Sequence, residues 1–118
     1  MRLLKLTALF ILISSIGYTQ NNNSKTVFEV DGVCGMCKKR IEKASIKTKG
    51  VKSAIWNLET HQLHVIYDEL KVDIETIKSN VSAAGHDTNT VKASTEAYGN
   101  LFKCCKYRDL KVIEEHKL

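Results

Sequence analysis

Proline is absent from the 118 residues, and no stretch is proline-rich, glycine-rich or of low complexity. A chain of this length without linker composition makes one domain at most, with room for one modest core, and large catalytic folds are excluded by length. The missing proline also argues against a thioredoxin-like redox fold, which sets a cis-proline against its active thiols. Long apolar runs are missing too: Leu6 to Ile16 is about eleven residues, whereas a membrane span takes about 20. Charge of one sign is scarce, with 18 Lys and Arg against 13 Asp and Glu, an excess too small to argue for nucleic acid.

What the first residues do have is the layout of a secretory signal. A basic start, Met1 to Lys5, precedes the apolar run, and small or polar residues follow at Ser14, Ser15, Gly17 and Thr19. Residues 1–19 are therefore expected to be a signal peptide, cut after Gly17 or Thr19, and the protein to be exported, periplasmic or secreted. An uncleaved N-terminal anchor is the alternative. No cysteine follows the run, which argues against a lipoprotein anchor. Without Arg2 and Lys5, 16 basic residues face 13 acidic ones, a net charge of +3.

Residues 20–24 read as a polar linker. Thr26, Phe28 and Val30 alternate with polar neighbours, which predicts a strand, and Gly32 to Met36 reads as a loop. From Cys37 the period becomes helical, with Cys37, Ile41, Ala44 and Thr48 on one face and Gly50 as the stop. Ala54, Trp56 and Leu58, then Leu63, Val65 and Tyr67, predict a hairpin across Glu59-Thr60-His61. Asp73 caps a second helix carrying Ile74, Ile77, Val81 and Ala84, ended by Gly85. Thr88 to Ala93 reads as a last strand. The expected fold is an α+β, ferredoxin-like βαββαβ two-layer sandwich, a four-stranded antiparallel sheet with two helices on one face, over residues 25–93. Residues 94–118 form a C-terminal tail with the Cys104-Cys105 pair and a short amphipathic end at Leu110 and Ile113.

The chemistry concentrates at Cys34-Gly35-Met36-Cys37. Two thiols three positions apart at a helix start can turn toward one point, and the helix N-terminus, with Lys38, Lys39 and Arg40, is expected to favour thiolate. Two thiolates with no nearby imidazole serve a structural zinc poorly, whereas Cu(I), Ag(I) or Hg(II) fit. A structural disulfide and a redox pair remain alternatives. Covalent haem attachment needs histidine where Lys38 stands, and a zinc ribbon needs a second thiol pair far nearer than Cys104, 67 positions past Cys37.

Gly32 to Glu42, with Gly50-Val51-Lys52-Ser53-Ala54 and Leu63-His64-Val65-Ile66-Tyr67-Asp68, resembles the heavy-metal-associated domain. That family comprises copper chaperones, N-terminal domains of metal-pumping P-type ATPases and the periplasmic mercury-binding protein. The resemblance implies that Cys34 and Cys37 are the primary metal thiolates. Family members usually place methionine where this chain has Gly32. In the loop after the second helix, often tyrosine or lysine, stands His86, a candidate accessory ligand. Zinc-exporting relatives commonly carry an acidic residue where Val33 stands, so the resemblance favours Cu(I) over Zn(II).

Cys104 and Cys105 are further accessory candidates. The last strand is expected to run away from the thiol loop, so that the tail begins at the far end of the domain; about ten residues separate Ala93 from Cys104, and at roughly 3.3 Å per residue they are long enough to reach back. They then complete the site, close it as a disulfide, or stay as an exposed pair. Trp56 is expected in the core, and His61 and His64 on the surface. The basic face of Lys38, Lys39, Arg40, Lys43 and Lys47 is either a solvated helix side or a docking face for an acidic partner. The expected function is an exported protein that captures Cu(I) and passes it by thiolate exchange to a metal-donor or metal-acceptor protein such as a membrane metal transporter. No nucleic acid, no organic substrate and no catalysis are implied. The alternatives are a periplasmic Hg(II)-binding protein feeding a transporter, a thiol–disulfide redox protein, and an interaction module with structural cysteines.

Overall fold

The computed structural model describes residues 22–117; the expected signal peptide, 1–19, lies outside the described residues. Strand β1 (Asn23–Glu29) leads through a loop into helix α1 (Gly35–Ile46). The hairpin β2 (Val51–Trp56) and β3 (Gln62–Asp68) follows, then helix α2 (Ile74–Ala83). Among the described residues, no helix is long and apolar enough to cross a membrane.

The sheet runs β1-β3-β2, all antiparallel. Its register stacks Phe28, Leu63 and Trp56 in one row and Thr26, Val65 and Ala54 in the next. Alternation puts these side chains on one face, where Ile41 of α1 and Ile77 and Val81 of α2 cover them, all fully buried. Each such side chain contributes about 1.5–3 kcal/mol by leaving water. Asp73 caps α2 as its sequence predicts, accepting from the Thr76 N–H at 2.7 Å. Gly50 has φ 98°, and a Cβ there would stand 2.9 Å from Lys71 Cβ and Val72 Cγ1, so only glycine closes this turn into β2.

The expected fourth strand, Thr88 to Ala93, does not form: the sheet has three strands, and only an isolated bridge joins Val30 to Thr88. The physical reason is local competition for the backbone. Thr88 N–H donates to the Val91 carbonyl at 2.8 Å, Val91 N–H to Thr88 Oγ1 at 2.9 Å, and Ala93 N–H to Asp87 Oδ1 at 2.7 Å. A Thr hydroxyl and an Asp carboxylate offer this stretch a turn in place of a ladder.

The chain therefore turns back beside the thiol loop, with Asp31 N–H donating to the Asp87 carbonyl at 2.9 Å, instead of running to the far end. The tail adds α3 (Thr95–Gly99), a 3₁₀ turn (Lys103–Cys105) and α4 (Leu110–Glu115). Leu101, Cys105, Tyr107 and Val112 are buried. In α4 the inward residue is Val112, while Leu110, expected on the apolar side, is 74% exposed.

Candidate metal centre

Cys34 is the N-cap of α1, its Sγ accepting from the Cys37 N–H at 3.4 Å. That capping geometry turns the first thiol over the first helical turn, where Cys37 also points, and the two sulfurs lie 3.2 Å apart. Cys34 is half-buried and Cys37 fully buried.

The loop before them is set by Trp56. A Cβ on Gly32 would stand 3.0 Å from the Trp56 ring and 3.1 Å from Cys37 Cβ, so the indole fills the space beside this position. Its Nε1 donates to the carbonyls of Val30 and His61 at 3.0 and 3.1 Å. Glu42 accepts from the Trp56 N–H at 2.8 Å and from Lys38 Nζ at 2.6 Å, and Lys38 also donates to the Trp56 carbonyl. Helix, hairpin and thiol loop are thus tied at one point.

The tail brings a third and a fourth sulfur. Cys105 Sγ lies 3.3 Å from Cys34 Sγ and is fully buried, while the exposed Cys104 lies 3.9 Å from Cys105 and 3.8 Å from Met36 Sδ. The sulfurs of Cys34, Cys104 and Cys105 all fall within 4.8 Å of one another. The tail pair is therefore divided, with one thiol in the core beside the loop and the other on the rim.

His86 is not with them. It is fully buried; Nδ1 pairs with the Asp31 carbonyl at 2.8 Å and Nε2 with Arg40 Nη1 at 3.4 Å, and the ring stacks on Tyr107. A carbonyl only accepts, so Nδ1 carries the proton and Nε2 accepts from Arg40. Burial, helped by the Arg40 charge, pushes its pKa down to about 4. With both ring nitrogens engaged, this residue holds the loop and Arg40 in place. It is not grouped with the sulfurs as a ligand.

The expected ionisation of Cys37 needs a correction. Burial pushes the Cys37 thiol up to about 12, outweighing the helix N-terminus. Lys38, turned onto Glu42 and Trp56, is spent elsewhere. The basic residue that acts on sulfur is Arg40, and it acts on Cys105. Burial opposes ionisation there, but Arg40 and the neighbouring thiols hold Cys105 below the ordinary thiol value.

Tyr107 and Arg108, which sequence reasoning passed over, fix the tail. Tyr107 Oη donates to the Gly85 carbonyl at 2.7 Å and accepts from the Asp87 N–H at 2.9 Å. Arg108 grips both Asp87 carboxylate oxygens and lies over the Tyr98 ring, 4.3 Å from its centroid. The available signal is their position two and three residues after the cysteine pair. Trp56 is in the core as expected, His64 is exposed, and His61 is half-buried, stacked on Trp56.

The heavy-metal-associated domain model matches residues 27–87. The copper chaperone CopZ of Staphylococcus aureus (strain JH9) is 38% identical over 65 residues, 54% of this chain and 96% of that protein. The N-terminal domain of a potential copper-translocating P-type ATPase from Bacillus subtilis, solved in the Cu(I)-loaded state, is 28% identical with a TM-score of 0.53, over 56% of this chain and 84% of that one. Oxidized MerP from Ralstonia metallidurans CH34 is 25% identical with a TM-score of 0.55, over 57% of this chain and 94% of its own. The matched residues stop at 87, short of Cys104, Cys105, Tyr107 and Arg108.

Proposed function

The chain belongs to the heavy-metal-associated domain family, and from that premise we propose that it captures Cu(I) between Cys34 and Cys37 and passes the ion to another protein by thiolate exchange. The observation that carries this reading is the pair of sulfurs 3.2 Å apart at the start of α1, one of them half-open to solvent. Soft thiolates suit Cu(I). Binding takes a proton from each thiol and releases it to water. An incoming thiolate attacks the ion from the open Cys34 side and forms its metal–sulfur bond before the outgoing bond breaks, so tight binding coexists with fast release. No catalysis on an organic substrate enters the reading.

The similarity to CopZ and to a copper-pump domain supports copper as cargo and a metal donor or acceptor, such as a membrane metal transporter, as partner. The apolar stretch Leu6–Ile16 supports an exported protein. The likeness to MerP favours one second reading, a Hg(II) carrier feeding a transporter.

The test is an anaerobic titration of the reduced chain with Cu(I) against a chromophoric chelator. One tightly held ion, lost in the Cys34→Ser plus Cys37→Ser variant, supports the reading. A reduced chain that leaves all the copper with the chelator overturns it. A parallel Hg(II) competition decides between the two cargoes.

A further inference from the structure

We infer that the tail supplies the third ligand: Cys105 joins Cys34 and Cys37 in a three-thiolate site, so that the protein carries its own cap on the ion it transports. This rests on the reading that Cys34 and Cys37 hold the ion and goes beyond it, since the family match stops at residue 87.

Three observations converge. The first is distance. Cys34 Sγ has Cys37 Sγ at 3.2 Å and Cys105 Sγ at 3.3 Å. With a metal–sulfur bond of about 2.3 Å, ligand sulfurs stand about 4.0 Å apart in a trigonal plane and about 4.6 Å apart on a line. The two pairs that share Cys34 therefore spread by under about 1 Å to make a trigonal site, and by more to make a linear one. The second is rigidity. Cys105 is fully buried, and its segment is anchored by the Tyr107 hydroxyl on Gly85 and Asp87 and by Arg108 on Asp87. Its sulfur is thus held beside the loop by bonds unrelated to a metal. The third is charge. Arg40, with Nη1 3.4 Å from the Nε2 of the buried His86, has its guanidinium 6.0 Å from the ring of Phe102, three positions before Cys105, so a positive charge borders the tail segment and offsets the negative charge that a third thiolate adds.

Cys104 shares the distance, its sulfur lying within 4.8 Å of those of Cys34 and Cys105, but not the burial. It is exposed and its sulfur faces Met36, which places it on the rim.

Loading then converts three thiols to thiolates and releases three protons to water, with no change in oxidation state. On transfer, a partner thiolate forms a bond to the ion as the Cys105–metal bond breaks, and Cys105 takes up a proton as it leaves. Release is gated by displacement of the tail sulfur.

X-ray absorption of the Cu(I)-loaded full chain counts the sulfurs directly. The expected count is three in the wild type, three in Cys104→Ser and two in Cys105→Ser. Cys105→Ser is also expected to bind Cu(I) more weakly by at least about tenfold, the scale seen when even a residue that only orients a ligand is removed. Two sulfurs in the wild type, or loss of a sulfur in Cys104→Ser and not in Cys105→Ser, overturns the cap. In both of those cases Cys34 and Cys37 still hold one ion, so the proposed function survives. A wild type without bound copper overturns both. If Cys105→Ser fails to fold, the wild type and Cys104→Ser decide together: three sulfurs in both support the cap, and two in either overturns it.

Discussion

Arg108 closes a two-pronged ion pair on Asp87, with Nη2 2.7 Å from Oδ1 and Nε 3.2 Å from Oδ2, and Oδ1 also accepts from the Ala93 N–H. One carboxylate thereby bends the chain away from the sheet and fastens the returning tail. Burial alone would raise its pKa, but Arg108 and the Ala93 N–H prevail and hold it below the ordinary carboxylate value of 3.8. Stability from this group is therefore complete above that value and is lost as pH falls through the lower folded value. Asp87→Asn is expected to cost about 1–2 kcal/mol at neutral pH, a figure limited by the exposure of Arg108, and to flatten the acid limb below about pH 4. Thermal melts across that range check both.

His86 governs a higher window. Its folded pKa of about 4 lies under the ordinary 6.5, so the folded state binds fewer protons than the unfolded chain and stability falls as pH drops below 6.5. The fall levels off near 4 after a loss of up to about 3 kcal/mol. His86→Gln is expected to abolish that limb while leaving the Cu(I) stoichiometry at one ion. A variant that loses the ion but keeps its fold by circular dichroism would show a ligand role after all.

Gly32 leaves no room for a side chain. Gly32→Ala brings a methyl to about 3 Å from the Trp56 ring, and overpacking of this kind costs about 1–3 kcal/mol. A shift in tryptophan emission together with a lower denaturation midpoint is the expected result. Unchanged emission would mean that the loop relaxes without moving the indole.

Tyr107→Phe removes a donor from the Gly85 carbonyl and an acceptor from the Asp87 N–H, at about 1–3 kcal/mol for buried groups left unpaired. The loss falls on tail docking. Cys105 should react with an aromatic disulfide reagent faster than in the wild type, while Cys104, already exposed, should keep its rate. Quantifying each labelled cysteine by mass spectrometry distinguishes the two.

Much of the fold was legible because hydrophobic period and turn residues agree. Phe28, Ile41, Trp56, Val65 and Ile77 fall on the faces their spacing assigns, and Gly85 ends α2 as expected, whereas α1 already stops at Ile46 and Gly50 serves the turn into β2. Thr88 to Ala93 misled because its β-branched residues suit a strand, while the carboxylate of Asp87 and the hydroxyl of Thr88, acting at distances of three to six residues, settle its backbone differently. The Cys34–Cys37 pairing could be read from three-residue spacing at a helix start. The burial of Cys105 could not, since it depends on Tyr107 meeting Gly85 22 positions away. Nor did the count of basic residues near the thiols reveal which one acts on sulfur. Lys38 is drawn off by Glu42, and only Arg40 reaches inward.

The 71 positions between Cys34 and Cys105 also order events in time. On the ribosome, the first two cysteines emerge and their helix and hairpin can condense long before the third sulfur has been made. Until the segment bearing Cys105 is released the loop stands uncovered, open to any soft ion or oxidant in its surroundings. Enclosure of the thiols thus waits on a segment made well after them.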